Sequence, residues 1–268
     1  MFKAAVSVGQ YVPGNSLIHS LDPRTKVLGV VLTASAIFVV TGWLGLGLAA
    51  GFVFMVIGFT GVHPWRYFKG MSAIWALLLV TFALNLFLTP GETLLNLGFL
   101  QINKEGLVFG GQMFIRLVLL ILIAFTLTLT TSPVNLTAGL ESLLAPLKKL
   151  GAPAHEIAMI MTIALRFVPT LMTEADKIAK AQSSRGAGFG RGGLFSRVKG
   201  LLPLFVPLFV SAIRSAEELA TAMEARCYRG GANRTRMNNL ELKARDYTAL
   251  LITVAALSLS IWFKRFAA

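Results

Sequence analysis

Charged residues are scarce in this sequence of 268 residues: 14% are Asp, Glu, Lys or Arg, whereas 55% are hydrophobic. A soluble domain carries charge on about a quarter of its residues. Several stretches are long and apolar enough to supply the ~20 residues with which a helix crosses a bilayer core of ~30 Å. The ~10-residue alternating segments of a membrane β-barrel are absent from the sequence. The composition therefore predicts an all-α integral membrane protein.

The residue types that build most active sites and metal sites are also few. Cys227 is the only cysteine, which excludes a disulfide within the chain. The three histidines are far apart, the aspartates do not cluster, and no GxxxxGK[ST] stretch could hold the phosphates of ATP. A GxGxxG match at 188–193 follows a predicted helix rather than a strand, which favours a flexible linker. We predict no catalytic residue, no metal site and no cofactor, and a membrane enzyme is disfavoured.

Acidic residues number 12 against 25 basic ones, which gives a net charge of +13. Residues 132–268 hold 18 of the 25 Lys and Arg residues. Basic residues mark the cytoplasmic ends of membrane helices and attract anionic lipid headgroups. No helix-turn-helix pattern or basic groove with aromatic residues accompanies the charge, so no nucleic acid is predicted as a partner. The charge predicts a cytoplasmic or interfacial location for 132–245, beside the lipid bilayer.

Apolar stretches predict about five transmembrane helices, with the N-terminus inside and the C-terminus outside. The uncharged run Val27–Val62 is long enough for two helices, divided at Thr41-Gly42-Trp43. The other three spans are predicted at about 71–88, 107–130 and 247–263. The predicted domains are a membrane domain at 1–131, a cytoplasmic or interfacial domain at 132–245 and a C-terminal transmembrane helix at 246–268.

Short signals at the ends of these spans predict local structure. Asp22 precedes Pro23, which predicts a helix N-cap with proline at the first helical position. Arg24 then flanks the first span on its cytoplasmic side. The basic and aromatic stretch 63–69 predicts a short cytoplasmic loop, and the slightly acidic stretch 89–105 predicts an external one.

Two features inside the spans are open to more than one interpretation. Gly47 and Gly51 form a GxxxG pattern, which is used for close helix packing but is common in membrane helices. Arg116 lies inside the fourth span, where a charge costs roughly 3 kcal/mol or more unless it is paired or reaches an interface. Either its helix is tilted so that the guanidinium reaches an interface, or the arginine is functional. Together with Asn85 it could line a path, so a self-sufficient membrane carrier or channel is the alternative function.

Two long amphipathic helices are predicted within 132–245, and they end alike. The first runs from about His155 and ends in Ser184-Arg185-Gly186. The second starts at Leu201 and ends in Ala225-Arg226-Cys227. Each has an alanine four residues before its final arginine. Pro169 removes a backbone hydrogen bond and is predicted to bend the first helix. An arginine at a helix C-terminus gains ~0.3–1 kcal/mol from the macrodipole, and its planar fork can also bind a carboxylate on another protein.

The two faces of these helices differ in chemistry. Polar residues of the first helix recur at steps of three or four and predict one polar face: Thr162, Arg166, Thr170, Thr173, Lys177, Lys180 and Ser184. The apolar faces are rich in methionine and phenylalanine, which suits a surface that accepts several partners: Met159, Met161, Met172, Phe205 and Phe209. A lipid-binding scaffold is a rival interpretation, and it requires only that the positive charge be kept.

Four stretches together resemble a known family: Ser16–Lys26, Leu165–Pro169, Ala181–Gly186 and Ala222–Tyr228. They are similar to the transmembrane coupling (T) component of energy-coupling factor (ECF) transporters, the CbiQ-like family of bacterial and archaeal ABC importers. The resemblance implies that Ser184-Arg185-Gly186 and Ala225-Arg226-Cys227 dock into two cytoplasmic ATPase subunits, EcfA and EcfA′. The family commonly has glycine where this chain has Cys227, so Arg229 is the other candidate for the second docking arginine. Structural roles fall to Asp22, Arg24, Arg166 and Pro169.

The resemblance also implies a mechanism. ATP is bound by the partner subunits, so the chain is not itself an enzyme. Closure of the ATPases would move the two helix ends and thereby the amphipathic helices of the coupling domain. Their apolar faces would cradle a membrane S component, which binds a vitamin or metal ion and reorients across the plasma membrane. The methionine and phenylalanine residues named above are the candidate contacts with the S component.

Overall fold

A computed structural model of the protein describes residues 11–72, 74–97, 100–144, 146, 154–186, 194–228 and 241–267. Its secondary-structure elements, in chain order, are α1 (Pro23–Val39), α2 (Gly42–Thr60), α3 (Pro64–Met71), α4 (Trp75–Leu88), β1 (Thr93–Leu97), β2 (Leu100–Asn103), α5 (Lys104–Thr130), α6 (Pro133–Leu144), α7 (Ala154–Ser184), α8 (Leu194–Ala225) and α9 (Ala244–Ala267). The chain forms two compact units, one with α1 to α5, most of α6 and α9, the other with α7 and α8. The prediction of an all-α fold is confirmed.

The first unit is built around α5, a helix of 27 residues that packs against α1, α2 and α4. Its core contains Ile37, Val53, Leu78 and Leu119, each at most 2% exposed. Inside a bilayer such helices are held together by close packing rather than by the exclusion of water. Gly106 shows how close this packing is, because a Cβ there would lie 2.9 Å from the carbonyl oxygen of Leu86 on α4.

Hydrogen bonds fix the relative directions of the helices in this unit. The N–H of Asp22, before α1, donates to Oδ1 of Asp246 in the first turn of α9, at 2.8 Å. Seven residues further along both helices, a Cβ at Gly29 would lie 3.8 Å from Thr253. The two helices therefore run in parallel. Lys26 Nζ donates to the carbonyl of Thr130 at 3.1 Å, so α5 ends where α1 and α9 begin.

The predicted boundaries of the first two spans agree with the structure. Asp22 is the N-cap of α1, its side chain accepts a hydrogen bond from the N–H of Arg24, and Pro23 is at the first helical position. The break between α1 and α2 falls at residues 40–41, beside the predicted glycine. Gly42 has a φ of 81°, a conformation that glycine adopts without steric cost.

Helices long and apolar enough to cross a membrane number three among the described residues: α2, α5 and α7. The number rises to four if α3 and α4, which are bent by 64° relative to each other, form one broken span. The set differs from the predicted one, because α1 has 17 residues and α9 is not among these candidates. Helix α7 meets the length and composition of a span, although its sequence predicts an amphipathic helix.

Three local predictions need correction. Residues 64–71 form helix α3 rather than a loop, because the side chain of His63 accepts a hydrogen bond from the N–H of Trp65 and Pro64 starts the helix. The stretch predicted to be an external loop contains the antiparallel hairpin β1–β2, with Leu97 opposite Leu100. The second long helix starts at Leu194, seven residues earlier than predicted, and includes two prolines.

The GxxxG pattern does not mediate packing within the described chain. A Cβ at Gly47 or at Gly51 would meet nothing within 4 Å. The close approaches are made by other glycines, Gly106 against α4 and Gly139 against the start of α1, where a Cβ would lie 2.9 Å from Pro23. Glycine content alone cannot distinguish these two sets.

Helices α7 and α8 pack against each other in the second unit. The hydroxyl of Tyr228, just after α8, donates to Sδ of Met159 near the start of α7 at 2.9 Å. The end of α8 therefore lies beside the first turns of α7. Several large apolar side chains of both helices are exposed, including Ile160 and Phe205, each 62% exposed.

Candidate functional site

The end of α7 places Arg185 at the C-cap position. The last helical hydrogen bond runs from the N–H of Arg185 to the carbonyl of Ala181, at 3.3 Å. Gly186 follows with a φ of 85°, and its N–H donates to the carbonyl of Ser183 at 3.1 Å. This left-handed residue stops the helix and directs the chain away from its axis. Arg185 is exposed at the helix tip.

The end of α8 repeats this geometry. The N–H of Arg226 bonds to the carbonyl of Ala222, again at 3.3 Å. Cys227 follows with a φ of 55°, and it is the one non-glycine residue with positive φ in the described chain. Its N–H donates to the carbonyl of Glu224, and that of Tyr228 donates to the carbonyl of Met223, which completes a Schellman motif. Arg226 is exposed, like its counterpart on α7.

The two recurring alanines occupy equivalent positions in the structure. In each helix the carbonyl of the alanine accepts the last i to i+4 hydrogen bond, so Arg185 and Arg226 are the C-cap residues of their helices. A guanidinium there lies at the negative end of the helix dipole, worth ~0.3–1 kcal/mol. The backbone beyond each arginine turns away at a left-handed residue. Both side chains are thus presented at the end of a helix.

The two tips lie at different ends of α7. Tyr228, two residues beyond Arg226, contacts Met159 near the start of α7. Arg185 is at the other end of that helix, 26 residues after Met159. At 1.5 Å per residue, this separation corresponds to about 39 Å of helix. One small binding site cannot engage both arginines.

The predicted apolar contact residues occupy exposed positions, with one exception. Phe205 and Phe209 are 62% and 57% exposed, and their rings stack with centroids 6.0 Å apart. Met161 and Met172 are exposed as well. Met159 is half-buried, because its sulfur accepts the hydrogen bond from Tyr228.

The polar face of α7 is present as an exposed row. Every one of its seven predicted members, from Thr162 to Ser184, is exposed. Lys177 forms an ion pair with Glu174 at 3.6 Å, one turn earlier on the helix. Arg166 is exposed on this row, and Pro169 lies within α7. The structural roles predicted for these two residues stay predictions.

Arg116 and Asn85, which could line a path in a carrier or channel, form hydrogen bonds with backbone carbonyls. Nη2 of Arg116 donates to the carbonyl of Val40 at 2.7 Å, and Nδ2 of Asn85 donates to that of Thr81 at 2.8 Å. Val40 is the C-cap residue of α1. Arg116 therefore neutralises the negative end of a neighbouring helix, which is a structural role.

Two residues with structural roles are not predicted from the sequence, and two predictions cannot be compared with the structure. Asp246 holds the start of α1 beside α9, and the sequence indicates it only as an acidic residue in the first turn of α9. Tyr228 holds the end of α8 beside α7, and the sequence indicates it only as an aromatic residue two positions after Arg226. Two predictions lie outside the described residues: the glycine-rich linker at 188–193, and Arg229 as the second docking arginine. The geometry described above belongs to Arg226.

Comparison with known proteins identifies the family. A family model described as CbiQ, cobalt transport protein, matches residues 14–237, most of the chain. The chain belongs to the CbiQ family. The resemblance predicted from the four stretches is confirmed, and the matched residues include both arginine tips.

Relatives in the CbiQ family are similar over nearly their whole length. The energy-coupling factor transporter transmembrane protein EcfT of Thermosediminibacter oceani is 48% identical over 248 residues, which cover 92% of this chain and 94% of the relative. EcfT of Clostridium kluyveri is 48% identical, with 96% of each chain covered. EcfT of Bacillus subtilis is 44% identical, with 96% and 97% covered. This CbiQ-family chain is accordingly a membrane protein and an energy-coupling transmembrane component of ECF transporters.

Proposed function

We propose that the chain links ATP hydrolysis by two cytoplasmic ATPase subunits to the reorientation of a membrane S component during uptake of a vitamin or related micronutrient. The shared geometry of Arg185 and Arg226 carries this proposal. Each is an exposed C-cap residue followed by a left-handed residue. Two equivalent tips, separated by about 39 Å of helix, suit two related partner subunits. ATP is bound by those subunits, and the chain itself is not an enzyme.

The chemistry of each tip suits an acidic groove. A guanidinium donates two parallel hydrogen bonds to one carboxylate, which a lysine ammonium cannot reproduce. Ser184 and Gly186 on one tip, and Ala225 and Cys227 on the other, are small enough to let a groove close around the arginine. A force on the docked arginine would act on the helix end directly, because the arginine N–H is part of the last helical turn.

Charge supports a cytoplasmic location for this function. At one end of the first unit, α1 and α9 begin and α5 ends. Three basic residues lie at or next to the starts of α1 and α9: Arg24, Lys243 and Arg245. At the opposite end, the N–H of Glu92 donates to the carboxylate of Glu105 at 2.7 Å. The basic end belongs on the cytoplasmic side by the positive-inside rule. The chain would thus be a multi-pass protein of a bacterial plasma membrane, with the coupling domain in the cytoplasm.

The exposed apolar side chains of α7 and α8 are the surface proposed for the S component. Phe205, Phe209 and Met161 are all more than 40% exposed. A contiguous exposed apolar surface indicates a contact with another protein or with the membrane. Methionine adapts its shape to different neighbours, which suits a surface shared by several S components.

Arginine substitutions in the complete transporter test the proposal. Arg185→Ala and Arg226→Ala each remove a charged hydrogen-bonding group from a buried contact, which costs 2–5 kcal/mol. We expect at least a tenfold loss of co-purifying ATPase subunits and of substrate uptake for each, and complete loss for the pair. Arg185→Lys and Arg226→Lys should retain little ATPase binding and uptake, because lysine lacks the planar fork of the guanidinium.

Matched controls are available on the same helices. Lys180→Ala on α7 and Arg214→Ala on α8 each remove one exposed positive charge. They should leave assembly and uptake within twofold of wild type. Normal uptake by the Arg185→Ala, Arg226→Ala double variant would overturn the proposal, and equal effects of the control variants would instead favour a charge-dependent lipid scaffold.

A further inference from the structure

Helix α3 of the first unit carries two cations without a counter-charge. Arg66 and Lys69, the basic pair, are both exposed, and because they are three residues apart they lie on the same side of the helix. No Asp or Glu occurs in the sequence between Asp22 and Glu92. No described carboxylate of the first unit lies within ion-pair distance of either cation. The basic pair is therefore available to an anion from outside this unit.

The phenol of Tyr67 locates α3 at the boundary of the hydrocarbon core. Its oxygen lies 3.4 Å from Oγ1 of Thr60, the last residue of α2, and 3.4 Å from Oγ1 of Thr126. Thr126 is four residues before the end of α5, about 6 Å of helix. The carbonyl of Thr130, at that end, accepts a hydrogen bond from Lys26, the last charged residue before the apolar run of α1. Helix α3 thus lies within about one helical turn of the headgroup layer.

One side of α3 is closed by protein. Tyr67 and Met71, one turn apart, are 4% and 9% exposed and belong to the core of the first unit. A Cβ at Gly70 would lie 2.9 Å from the ring of Phe125, so the backbone of α3 packs directly against α5. Helix α3 is also bent by 64° relative to α4. It therefore lies across the end of the helix bundle rather than along it, and its other sides carry exposed residues.

Two aromatic side chains define a second side of α3. Trp65 and Phe68, the aromatic pair, are 69% and 68% exposed. At about 100° per residue, the aromatic pair is centred about 110° from the core-facing side in one direction, and the basic pair about 150° from it in the other. A helix that lies in the membrane interface has these same two sides, with aromatic rings at the boundary of the acyl chains and cations among the headgroups. Both the depth of α3 and the division of its surface therefore favour the bilayer as the neighbour of these four residues.

We propose that α3 binds an anionic phospholipid of the leaflet at the start of α1, with the lipid phosphate between Arg66 and Lys69 and the upper acyl carbons against Trp65 and Phe68. The guanidinium donates two parallel hydrogen bonds to phosphate oxygens, and the ammonium adds a point charge. A zwitterionic lipid has the same phosphate but carries its own ammonium, so the basic pair prefers a lipid with net negative charge. The site is independent of the arginine tips, which are in the other unit.

Photo-crosslinking in the complete transporter tests this site. The complex is reconstituted in nanodiscs of phosphatidylcholine and phosphatidylglycerol in equal amounts, and one of the two lipids carries a diazirine near the glycerol end of its acyl chain. Labelled peptides are mapped by mass spectrometry. We expect phosphatidylglycerol to label the aromatic pair at least fivefold more than phosphatidylcholine does, about the factor that one basic residue at an anionic surface contributes. The double variant Arg66→Gln, Lys69→Gln should reduce this preference to less than twofold.

A matched control separates a site on α3 from the general charge of the unit. The double variant Lys243→Gln, Arg245→Gln removes two exposed cations at the start of α9, which lies at the same end of the unit as α3. It should leave the lipid preference at the aromatic pair within twofold of wild type. Raising the salt from about 0.1 M to about 1 M shortens the Debye length from ~10 Å to ~3 Å and should lower the preference of the wild type at least twofold. Thermal unfolding and subunit content verify that each variant is assembled.

Three outcomes would overturn the inference. Equal labelling of Trp65 and Phe68 by the two lipids in wild type would indicate ordinary boundary lipid without recognition of the headgroup. Equal loss of preference in the two double variants would indicate a diffuse field rather than a site on α3. Absence of labelling by either lipid would show that a protein surface covers this side of the helix. If the α3 variant does not assemble, the lipid preference of the wild type and its dependence on salt still decide the matter.

Discussion

The backbone N–H of Asp22 donates a hydrogen bond to Oδ1 of Asp246, 2.8 Å away and 224 residues later in the chain. Oδ2 of the same carboxylate accepts the N–H of Lys243 at 2.9 Å, so Asp246 also satisfies the backbone at the start of its own helix. Asp22 and Asp246 are 8% and 2% exposed. One buried carboxylate thus joins the beginnings of the first and last helices of this unit.

Removal of that carboxylate should destabilise the membrane unit. Asp246→Ala leaves two backbone N–H groups without their acceptor, one of them at a buried junction, and hydrogen bonds to charged groups contribute about 1.5–3 kcal/mol each. We expect the midpoint of thermal unfolding in detergent to fall by several degrees. Asp246→Asn keeps one acceptor oxygen and should fall between Asp246→Ala and wild type.

Glu241→Ala is the control for this prediction. Glu241 is exposed and lies five residues before Asp246, so its removal changes net charge equally without changing the junction. Its unfolding midpoint should stay within about one degree of wild type. Equal midpoints for all four proteins would show that the Asp22–Asp246 contact contributes nothing measurable.

Cys227 occupies a backbone conformation that suits glycine better. Its φ of 55° is left-handed, which costs a residue with a Cβ roughly 1–2 kcal/mol. Cys227→Gly should relieve this cost and stabilise the last turn of α8. Hydrogen exchange at the amides of residues 227 and 228, which donate to Glu224 and Met223, should slow about fivefold.

Cys227→Val provides the opposite comparison. A β-branched side chain fits the left-handed region poorly, so exchange at the same amides should become faster than in wild type. Protection of these amides from exchange is expected to be highest with glycine at position 227, intermediate with cysteine and lowest with valine. Faster exchange in Cys227→Gly than in wild type would mean that the flexibility of glycine in the unfolded turn outweighs the relief of strain.

The position of Cys227 also makes docking directly measurable. It is the only cysteine in the chain, it is exposed, and it follows Arg226. If the tip of α8 docks on an ATPase subunit, a maleimide should react with Cys227 quickly in the isolated chain and at least tenfold more slowly in the complete complex. Glu217→Cys in a Cys227→Gly background is the control, since this exposed position lies about three turns earlier on α8. Equal rates for Cys227 in both preparations would contradict docking at this tip.

Sequence patterns predict the helix ends because their signals are local. An N-cap such as Asp22 and a helix-ending Gly186 act within one turn, so the residues themselves specify the structure. The equivalence of the two arginines follows from the same local rule, with alanine four residues earlier as the last carbonyl acceptor. The candidate docking residues are thus predictable without knowledge of the fold.

Features that depend on tertiary contacts are not predictable in this way. Local signals at His63 and Pro64 start α3. Its Tyr67 and Met71, one turn apart, also pack into the core, and the polar and aromatic composition of this stretch does not reveal that contact. The pairing of Asp22 with Asp246 depends on helices that are distant in sequence. The glycines that allow close packing, such as Gly106, differ from Gly47 only in the neighbours that the fold brings to them.

Substitution of Arg116 distinguishes a structural role of this charge within a span from a role in a transport path. Its Nη2 donates to the carbonyl of Val40 at 2.7 Å, and Val40 is 1% exposed. Arg116→Leu would leave this helix-terminal carbonyl without its donor, at a cost of about 1.5–3 kcal/mol. We expect the unfolding midpoint to fall by several degrees, whereas uptake per molecule of folded transporter stays within twofold of wild type.

An arginine that lines a transport path would give the reverse result. Uptake would then fall at least tenfold at an unchanged unfolding midpoint, because the lost group would act on the substrate rather than on Val40. Lys104→Gln is the matched control, since it removes an exposed positive charge from the first turn of the same helix and should change neither quantity. The stability and the uptake of Arg116→Leu, measured on one preparation, therefore separate a helix-capping arginine from a substrate-contacting one, since each role moves only one of the two quantities.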